Sequence, residues 1–474
     1  MKNRTVIPIR PVAEGEEIVI SLFEESKKIY PRAQKGWFNQ WRWRLVLITQ
    51  ALFYLTVWCR WNDRQAVLFD LVNRKFYIFG LALWPQDFIY LAILLVVSAL
   101  ALFLFTAIAG RLFCGYACPQ TVYTEIFMWI EARIEGDAWQ RKKLDVAGLS
   151  FRKFFLKFAK HFCWLLFSFW TGFTFVAYFT PVQQLGTEIL RNALGPWESF
   201  WLIFYALATY GNAGFLREQV CKSMCPYARF QSAMFDRDTL IVTYDQDRGE
   251  PRGSRSKKSD PTSLGLGSCV DCSICVQVCP TGIDIRQGLQ YECIACGACI
   301  DACDQVMDKL AYPRGLIRYT TENALTLKLD SKAIRRRMVR PRVLIYLALL
   351  TVISLLSVFV LVTRVSVKLD VLRDRTMPKI DEYGNIENVY RLQIMNTQEK
   401  AHVFTVQVKG IVGAEIVNAT QLEIRASSHA SFPVRVRIPR GAAPAGSNRI
   451  RFVVEDETKE KNSVTERAVF LVPR

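Results

Sequence analysis

Five long apolar stretches punctuate the chain, at about 44–61, 87–109, 161–180, 198–216 and 342–363. Each is long enough to cross a bilayer, which takes about 17–25 residues. Any one of them could be a buried core helix, but five, several with no charge inside, argue for membrane spans. The pattern changes near residue 376. From there apolar and polar positions alternate with period two, as in Val389-Tyr390-Arg391-Leu392-Gln393-Ile394, Val403-Phe404-Thr405-Val406-Gln407-Val408 and Val434-Arg435-Val436-Arg437-Ile438. Further runs lie at 414–425, 448–455 and 464–472. Six or seven short strands at this spacing predict an immunoglobulin-like sandwich. It carries no cysteine and no catalytic constellation, so a docking or structural role is expected.

The segments between these elements are polar, with one exception. The loop 62–86 is rich in Leu68, Phe69, Phe76, Tyr77, Ile78 and Phe79, so it is expected to lie in the interface or fold back into the membrane. Trp37, Phe38, Trp41 and Trp43, with Arg42 and Arg44 between them, form an interfacial anchor before the first span. Residues 245–268, rich in Asp, Arg, Gly, Ser, Lys and Pro, read as a flexible tether. The predicted fold is a multi-domain membrane protein: a five-helix α transmembrane bundle, a cytoplasmic α+β module, and a C-terminal all-β immunoglobulin-like sandwich. The C-x-x-C-x-x-C-x-x-x-C runs Cys269–Cys279 and Cys293–Cys303 make the α+β module ferredoxin-like, with two [4Fe–4S] clusters. Residues 1–40 are a cytoplasmic tail, and 41–240 hold four membrane helices in two repeats. Residues 241–268 are a linker, 269–320 the ferredoxin module, 342–363 the fifth span and 376–474 a periplasmic sandwich.

Charge supplies the orientation. Residues 1–44 and 111–160 carry nine Lys/Arg each, whereas loops 62–86 and 181–197 carry three and one. The positive-inside rule then puts the N-terminus, 111–160 and 217–341 in the cytoplasm and the C-terminus outside. The net charge of +18 is explained by these flanks, and no nucleic-acid partner is expected. No signal peptide is visible in residues 1–36. All 14 cysteines precede residue 304, which is unlike a disulfide-rich secreted chain.

The chemistry lies in those cysteines. Cys269-x-x-Cys272-x-x-Cys275-x-x-x-Cys279-Pro280 is followed by Cys293-x-x-Cys296-x-x-Cys299-x-x-x-Cys303. This is the spacing of a two-cluster bacterial ferredoxin, in which the fourth cysteine of each run serves the other cluster. One cluster is therefore assigned to Cys269, Cys272, Cys275 and Cys303, and the other to Cys293, Cys296, Cys299 and Cys279. Zinc knuckles have no use for a third evenly spaced cysteine.

A second set is duplicated. Cys114-Gly115-Tyr116-Ala117-Cys118-Pro119 and Cys221-Lys222-Ser223-Met224-Cys225-Pro226 are both C-x-x-x-C-P, each at the inner end of a predicted span, about 107 residues apart. Cysteines four apart share one helix face, and the proline favours a new helix start. Four converging thiolates would select Cu(I), zinc or an Fe–S cluster, with Met224 as a possible thioether, whereas isolated buried cysteines are often inert. Cys59 and Cys163 are single and read as packing residues. Glu125, Glu131 and Glu135 read as a solvated helix face. With three histidines, His161, His402 and His429, only one of them near a span, a membrane haem with paired His ligands is not expected. Nor is there a G-x-G-x-x-G dinucleotide fingerprint, so electrons must come from a separate cytoplasmic donor.

Several strings resemble the FixG/CcoG (RdxA) family of cytochrome c oxidase accessory proteins. They are Leu68-Phe69-Asp70-Leu71-x-x-Arg74-Lys75-Phe76-x-Ile78-Phe79-Gly80, Gly110-Arg111-x-x-Cys114-Gly115-Tyr116-Ala117-Cys118-Pro119-Gln120-Thr121-Val122, Arg248-Gly249-Glu250-Pro251-Arg252-Gly253, Pro280-Thr281-Gly282-Ile283-Asp284-Ile285-Arg286 and Gly315-Leu316-Ile317-Arg318-Tyr319. The resemblance implies a bacterial inner-membrane polyferredoxin needed to assemble the cbb-type oxidase. It implies reduction of Cu(II) to Cu(I), with Cys114, Cys118, Cys221 and Cys225 handling copper. The implied partners are cbb-type oxidase subunits or copper-delivery proteins, and membrane lipid. The rival expectations are a quinol-linked chain to a periplasmic reductase and a non-enzymatic assembly scaffold.

Overall fold

The computed structural model describes residues 28–255, 264–364, 367–374, 378–398, 400–418, 420–426, 428–456 and 463–473. Most of the expected N-terminal tail and residues 256–263 of the expected linker lie outside them. Helix α1 (Trp37–Thr56) leads into a small β region: β1 (Arg60–Trp61) pairs β2 (Arg64–Gln65), and β3 (Val67–Asp70), β4 (Lys75–Ile78) and β5 (Leu81–Leu83) form an antiparallel three-stranded sheet. The apolar stretch 62–86 is thus built of paired strands. Its aromatic alternation is that of paired strands, with Phe69 opposite Phe76.

Helix α2 (Phe88–Ala109), the short α3 (Leu112–Tyr116), α4 (Pro119–Glu135), α5 (Ala138–Val146), α6 (Phe151–Val176), α7 (Val182–Leu190), α8 (Pro196–Gly211) and α9 (Pro226–Ala233) follow. Helix α6 packs along α8, and Gly172 allows the approach: a β-carbon there would lie 2.5 Å from the Leu202 carbonyl. Two connections at one end of the helical layer are stitched together. Gln65 Nε2 donates to the Ala177 carbonyl at 2.7 Å, its Oε1 accepts from the Val182 amide at 3.1 Å, and the Phe69 amide donates to the Tyr178 carbonyl at 2.7 Å.

Strand β6 (Ile241–Tyr244) comes next, then α10 (Gln246–Gly249), α11 (Ile274–Gln277), α12 (Ala298–Leu310), β7 (Ile317–Thr320), α13 (Glu322–Thr326), α14 (Ser331–Met338) and α15 (Pro341–Val362). Strand β6 pairs antiparallel with β7, so the ferredoxin unit begins at 241 and not at 269. The described part of the expected linker is tied down as well: the Ser268 amide donates to the Arg248 carbonyl at 2.8 Å and Gly267 to Pro251 at 2.8 Å. Polar composition was the basis for a tether, but here the polar groups satisfy one another.

Of the five expected spans, Phe88–Ala109 and Pro341–Val362 are long and apolar enough along the whole helix to cross a membrane. They pack on each other and leave almost all of that surface uncovered. The other three depart for visible reasons. Helix α1 begins with Arg42 and Arg44 inside it, α6 begins with Arg152, Lys153, Lys157 and Lys160, and α8 is 16 residues long before the chain winds wider over Asn212–Leu216.

The C-terminal sandwich comprises β8 (Val367–Arg373), β9 (Lys379–Ile380), β10 (Ile386–Asn396), β11 (His402–Lys409), β12 (Glu415–Ile416), β13 (Gln421–Ile424), β14 (His429–Ile438), β15 (Gly446–Asp456) and β16 (Ser463–Val472). One sheet runs β12-β14-β10-β8, with β9 also on β10, and the other runs β13-β11-β15-β16. The period-two alternation puts Tyr390, Leu392, Ile394, Phe404, Phe452 and Phe470 into one core between them. The sandwich starts about ten residues before its expected boundary of 376, because Val367-Lys368-Leu369-Asp370-Val371 already alternates and pairs with β10.

Each end of the helical layer meets a different domain. The Asp87 carboxylate at the start of α2 is buried and binds Arg364 Nη2 at 2.7 Å, Lys368 Nζ and the Trp84 amide at 3.0 Å. This fixes the sandwich beside the 60–87 sheet. At the other end, the amides of Phe38 and Asn39 in the first turn of α1 donate to Asp301 of α12 at 3.2 and 2.9 Å. A ferredoxin carboxylate thus caps the first long helix and complements its dipole. Gly36 leaves room for it, since a β-carbon there would overlap the Asp301 carboxylate.

Candidate functional site

Two cavities in the ferredoxin unit are lined by the two predicted sets of thiols. Cys269, Cys272, Cys275 and Cys303 line one, with Tyr244, Arg286, Met307, Leu316 and Ile317. Cys279, Cys293, Cys296 and Cys299 line the other, with Thr281, Ile283 and Ile294, and Cys275 borders it. The crosswise exchange is present: Cys303 reaches back to the first cavity and Cys279 forward to the second. Left-handed backbone at Asp271, Ser273 and Ala295 curls the Cys-x-x-Cys loops. The Ala295 amide donates to the Cys293 sulfur at 3.4 Å, and the Thr281 hydroxyl lies 3.3 Å from the Cys279 sulfur.

The donor set suits an iron–sulfur cluster. Burial pushes the Cys293 and Cys303 thiols up to about 12 and Cys275 up to about 11, so these sulfurs would become thiolates only when a bound metal displaces their protons to water. Among the described residues no three His, Cys, Asp or Glu side chains converge as the ligands of one ion would. A cube-shaped cluster needs no such convergence, because each thiolate takes its own iron at a separate corner.

The second thiol set is also brought together, though not as the sequence reading drew it. Cysteines four apart do not share one helix face here. Cys114 lies within α3, and Cys118 is the N-cap of α4, which Pro119 opens. Likewise Cys221 lies in a wider-wound segment, where the Cys225 amide bonds five residues back to Val220 at 2.8 Å, and Cys225 is the N-cap of α9, opened by Pro226. The expectation of a helix break at each motif holds, and proline's missing donor is its cause. Gln120 Nε2 clasps the halves by donating to the carbonyls of Asn212 at 2.9 Å and Arg217 at 3.1 Å. Burial pushes Cys114 up to about 12, and Cys118, Cys221 and Cys225 are near enough to add to the shift, while Arg111 opposes it. The Cys114 thiol donates to Oε1 of the fully buried Gln231 at 3.4 Å. Met224 is 60% exposed, whereas the four thiols are half-buried. Cys59 is exposed on the far side of the helical layer, contrary to a packing role, and Cys163 is half-buried.

The first motif rests directly on the second cluster loop. A β-carbon on Gly115 would lie 2.6 Å from the Ile294 carbonyl and 2.9 Å from Cys296 Cα. The Tyr116 hydroxyl donates to the Cys296 carbonyl at 3.2 Å, and buried Arg111 donates to the carbonyls of Tyr291 and Ala228. Cys114 packs on Val278, Ile294, Cys296 and Ala298. From the other motif, Cys221 borders a cavity with Pro280, Thr281 and Ile294.

Sequence reasoning missed the polar scaffold behind this surface. Glu131 and Glu135 do not face solvent. Glu131 binds Arg217 at 2.8 Å and Arg141 at 3.2 Å, and Glu135 binds Lys160 at 3.0 Å and Lys157 at 2.9 Å, with both carboxylates at 0% side-chain exposure. Burial pushes Glu131 up, but Arg217 and Arg141 outweigh it and hold the carboxyl below the usual range. Glu125 pairs with buried Arg42. The partners come from α5, α6, the segment before α9, and α1, so no local spacing announces them.

A dicluster ferredoxin unit built onto apolar helices, with a sandwich at the opposite end, defines an iron–sulfur electron-transfer protein with helices apolar enough to cross a membrane. Family models agree region by region. A 4Fe-4S dicluster domain matches residues 216–322, a 4Fe-4S binding domain matches 91–145, and the IG-like fold at the C-terminal of FixG matches 357–473. The nitrogen fixation protein FixG of Rhizobium meliloti is 35% identical, over 94% of this chain and 92% of that protein. Protein RdxA of Cereibacter sphaeroides is 37% identical, over 90% and 92%. The ferredoxin-type protein NapH of Haemophilus influenzae is 22% identical over 59% of this chain and 93% of that protein. The chain belongs to the FixG/RdxA family.

Proposed function

We propose that the protein is a five-span inner-membrane ferredoxin that passes electrons from a cytoplasmic donor to copper at the twin C-x-x-x-C-P thiols, serving assembly of a cbb-type oxidase. The observation that carries this reading is the seating of Cys114-Gly115-Tyr116 on the loop bearing Cys296. Two [4Fe–4S] clusters, held by Cys269, Cys272, Cys275 and Cys303 and by Cys279, Cys293, Cys296 and Cys299, supply a one-electron relay when bound. Cys272 is the exposed ligand and marks where a soluble donor approaches. The other set is buried against the motif that would receive the electron. The substrate step is Cu(II) plus one electron giving Cu(I), which soft thiolates prefer.

The topology is supported by the two ends of the helical layer. The start of α1 and, just beyond the end of α2, Tyr116 of α3 meet the ferredoxin unit, while the start of α2 and the residue after α15 meet at Asp87 beside the sandwich. With positive flanks on the ferredoxin side, that side is cytoplasmic and the sandwich periplasmic. The test is the double variant C114S/C221S in the purified full chain. Dithionite-reduced EPR should count both clusters unchanged, while Cu(I) captured by a Cu(I)-specific chelator falls to the rate of chain-free buffer. Unchanged Cu(I) production in that variant refutes the copper role of the motifs.

A further inference from the structure

One sheet of the sandwich carries a row of positive charge that nothing within the chain balances. In the sheet β13-β11-β15-β16, Phe404, Val406, Ile450, Phe452, Val454 and Phe470 fill the core. Side chains alternate along a strand, so Lys409 of β11, Arg449 and Arg451 of β15 and Arg467 of β16 stand on the outer face, and all four are exposed. The register aligns three of them: Lys409 is directly opposite Arg451, and Arg451 is directly opposite Arg467. Neighbouring strands lie about 4.8 Å apart, so the three backbone positions span about 10 Å.

Like charges directly opposite one another weaken strand pairing, and a neighbouring acid would offset the cost. On the other sheet it does: Arg437 is opposite Glu387 and pairs with it at 2.6 Å. Among the described residues, none of Lys409, Arg449, Arg451 and Arg467 has a hydrogen-bonded or ion-paired side chain. The acids of the same outer face lie towards its other end. Glu455 is about 13 Å along β15 from Arg451, and Glu423 is opposite Val403, about 20 Å along β11 from Lys409. That acidic end is the one that meets the helical layer. Asn396, opposite Val367 at the start of β8, donates to the Ile424 carbonyl at 3.1 Å, and Ile424 is opposite His402 at the start of β11. Lys409 is about 24 Å further along that strand, so the basic row stands at the far end of the sandwich and is poorly placed for the headgroups of a bilayer around this chain's own helices. Beside the row, Arg449 is opposite Val469, which is 42% exposed. Arginine next to exposed apolar surface is the composition of a protein interface, and a guanidinium fork matches a carboxylate.

We propose that this outer face docks the acidic surface of a separate protein, whose carboxylates take up the row Lys409, Arg451 and Arg467. The sandwich then holds the helical layer at one end through Asp87 and a partner at the other through charge. Such docking depends neither on the clusters nor on copper.

The test uses the full chain in nanodiscs of neutral phosphatidylcholine, titrated against a short fluorescein-labelled peptide of alternating Glu and Val, with a Lys-Val peptide as control. Anisotropy should show saturable binding of the Glu peptide that weakens as salt screens the exposed charges, and no binding of the Lys peptide. Lys409→Gln/Arg451→Gln/Arg467→Gln should raise the half-saturating concentration at least about tenfold. Lys379→Gln/Arg391→Gln/Arg435→Gln removes the same charge from the outer face of the other sheet and should leave binding unchanged. All six side chains are exposed, and amide exchange in β15 should be no faster in the row variant than in the parent. Faster exchange would make the row a support of the sheet and overturn the proposal. No saturable binding by the parent, or equal weakening by the two triple variants, also overturns it. Displacement of the Glu peptide by phosphatidylglycerol vesicles at a lower anion concentration overturns it in favour of a lipid surface.

Discussion

Gly115→Ala separates two effects that a single methyl group brings into opposition. Alanine relieves the glycine penalty in α3, about 1 kcal/mol. Against it stand contacts of 2.6 Å to the Ile294 carbonyl, 2.9 Å to Cys296 Cα and 3.0 Å to the Ala295 carbonyl. All three are backbone atoms, so no side chain can rotate out of the way. Overpacking of this kind costs about 1–3 kcal/mol, and the upper half of that range applies when a loop must move as a body. The net is a destabilisation of about 1–2 kcal/mol. Gly186 in α7 has nothing within 4 Å of its added β-carbon, so Gly186→Ala should gain up to about 1 kcal/mol. The assay is thermal loss of visible cluster absorbance in the purified chain, with Cu(II) reduction measured below the transition. Gly115→Ala should melt below the parent and deliver electrons to copper more slowly, while Gly186→Ala melts above it. If the two substitutions stabilise alike, the direct seating of the motif on the cluster loop is refuted.

The crosswise ligand exchange predicts that Cys279→Ser and Cys303→Ser each remove a different cluster, so EPR of the two variants should show non-identical remaining signals. Glu131→Ala leaves Arg217, Arg141 and Lys160 buried without their anion, and should lower stability by about 3–5 kcal/mol in denaturant titrations. Glu131 has a depressed carboxyl in the folded chain, so its contribution is fully present above the ordinary carboxylate range, about pH 4–5. It is lost as the pH falls through the lower folded value. Acid unfolding followed by tryptophan fluorescence should therefore lose steepness in Glu131→Gln. Asp87→Ala unpairs Arg364 and Lys368, and trypsin should then cut after Arg364 faster, with both clusters retained.

What the sequence made legible was what depends on local spacing. Eight cysteines in two evenly spaced runs define two cavities, because each run wraps its own cavity and the exchange of fourth ligands follows from the fold those runs make. The strands of the sandwich were legible for the same reason, since period two places Tyr390, Leu392 and Ile394 on one face. Several of the failures were of tertiary pairing. Glu131 and Glu135 looked like a solvated face because their partners, Arg141, Lys157, Lys160 and Arg217, lie on other elements. The sheet within 62–86 was not legible because its strands β3, β4 and β5 are only four, four and three residues long. The 245–255 segment looked like a tether because its hydrogen bonds run to Gly267, Ser268 and Cys269 across a gap in sequence.

The same contrast bears on how the ferredoxin unit is held. A polyferredoxin on a mobile tether would shuttle, and its distance to the membrane thiols would vary between turnovers. Here Asp301 caps α1, Gly297 sits against Phe38, β6 feeds straight from the chain after α9, and Gly115 abuts the Cys296 loop. Four independent segments, separated by up to about 260 residues along the chain, meet around the second thiol cavity. Such an arrangement fixes one distance between that cavity and the C-x-x-x-C-P thiols, and leaves the Cys272 face of the first cavity open to solvent. A relay with one fixed end and one open end is expected to be limited by arrival of the donor. Rates of Cu(I) formation should then rise linearly with donor concentration, and a variant that loosens the fixed end, such as Asp301→Ala, should convert that line into a plateau.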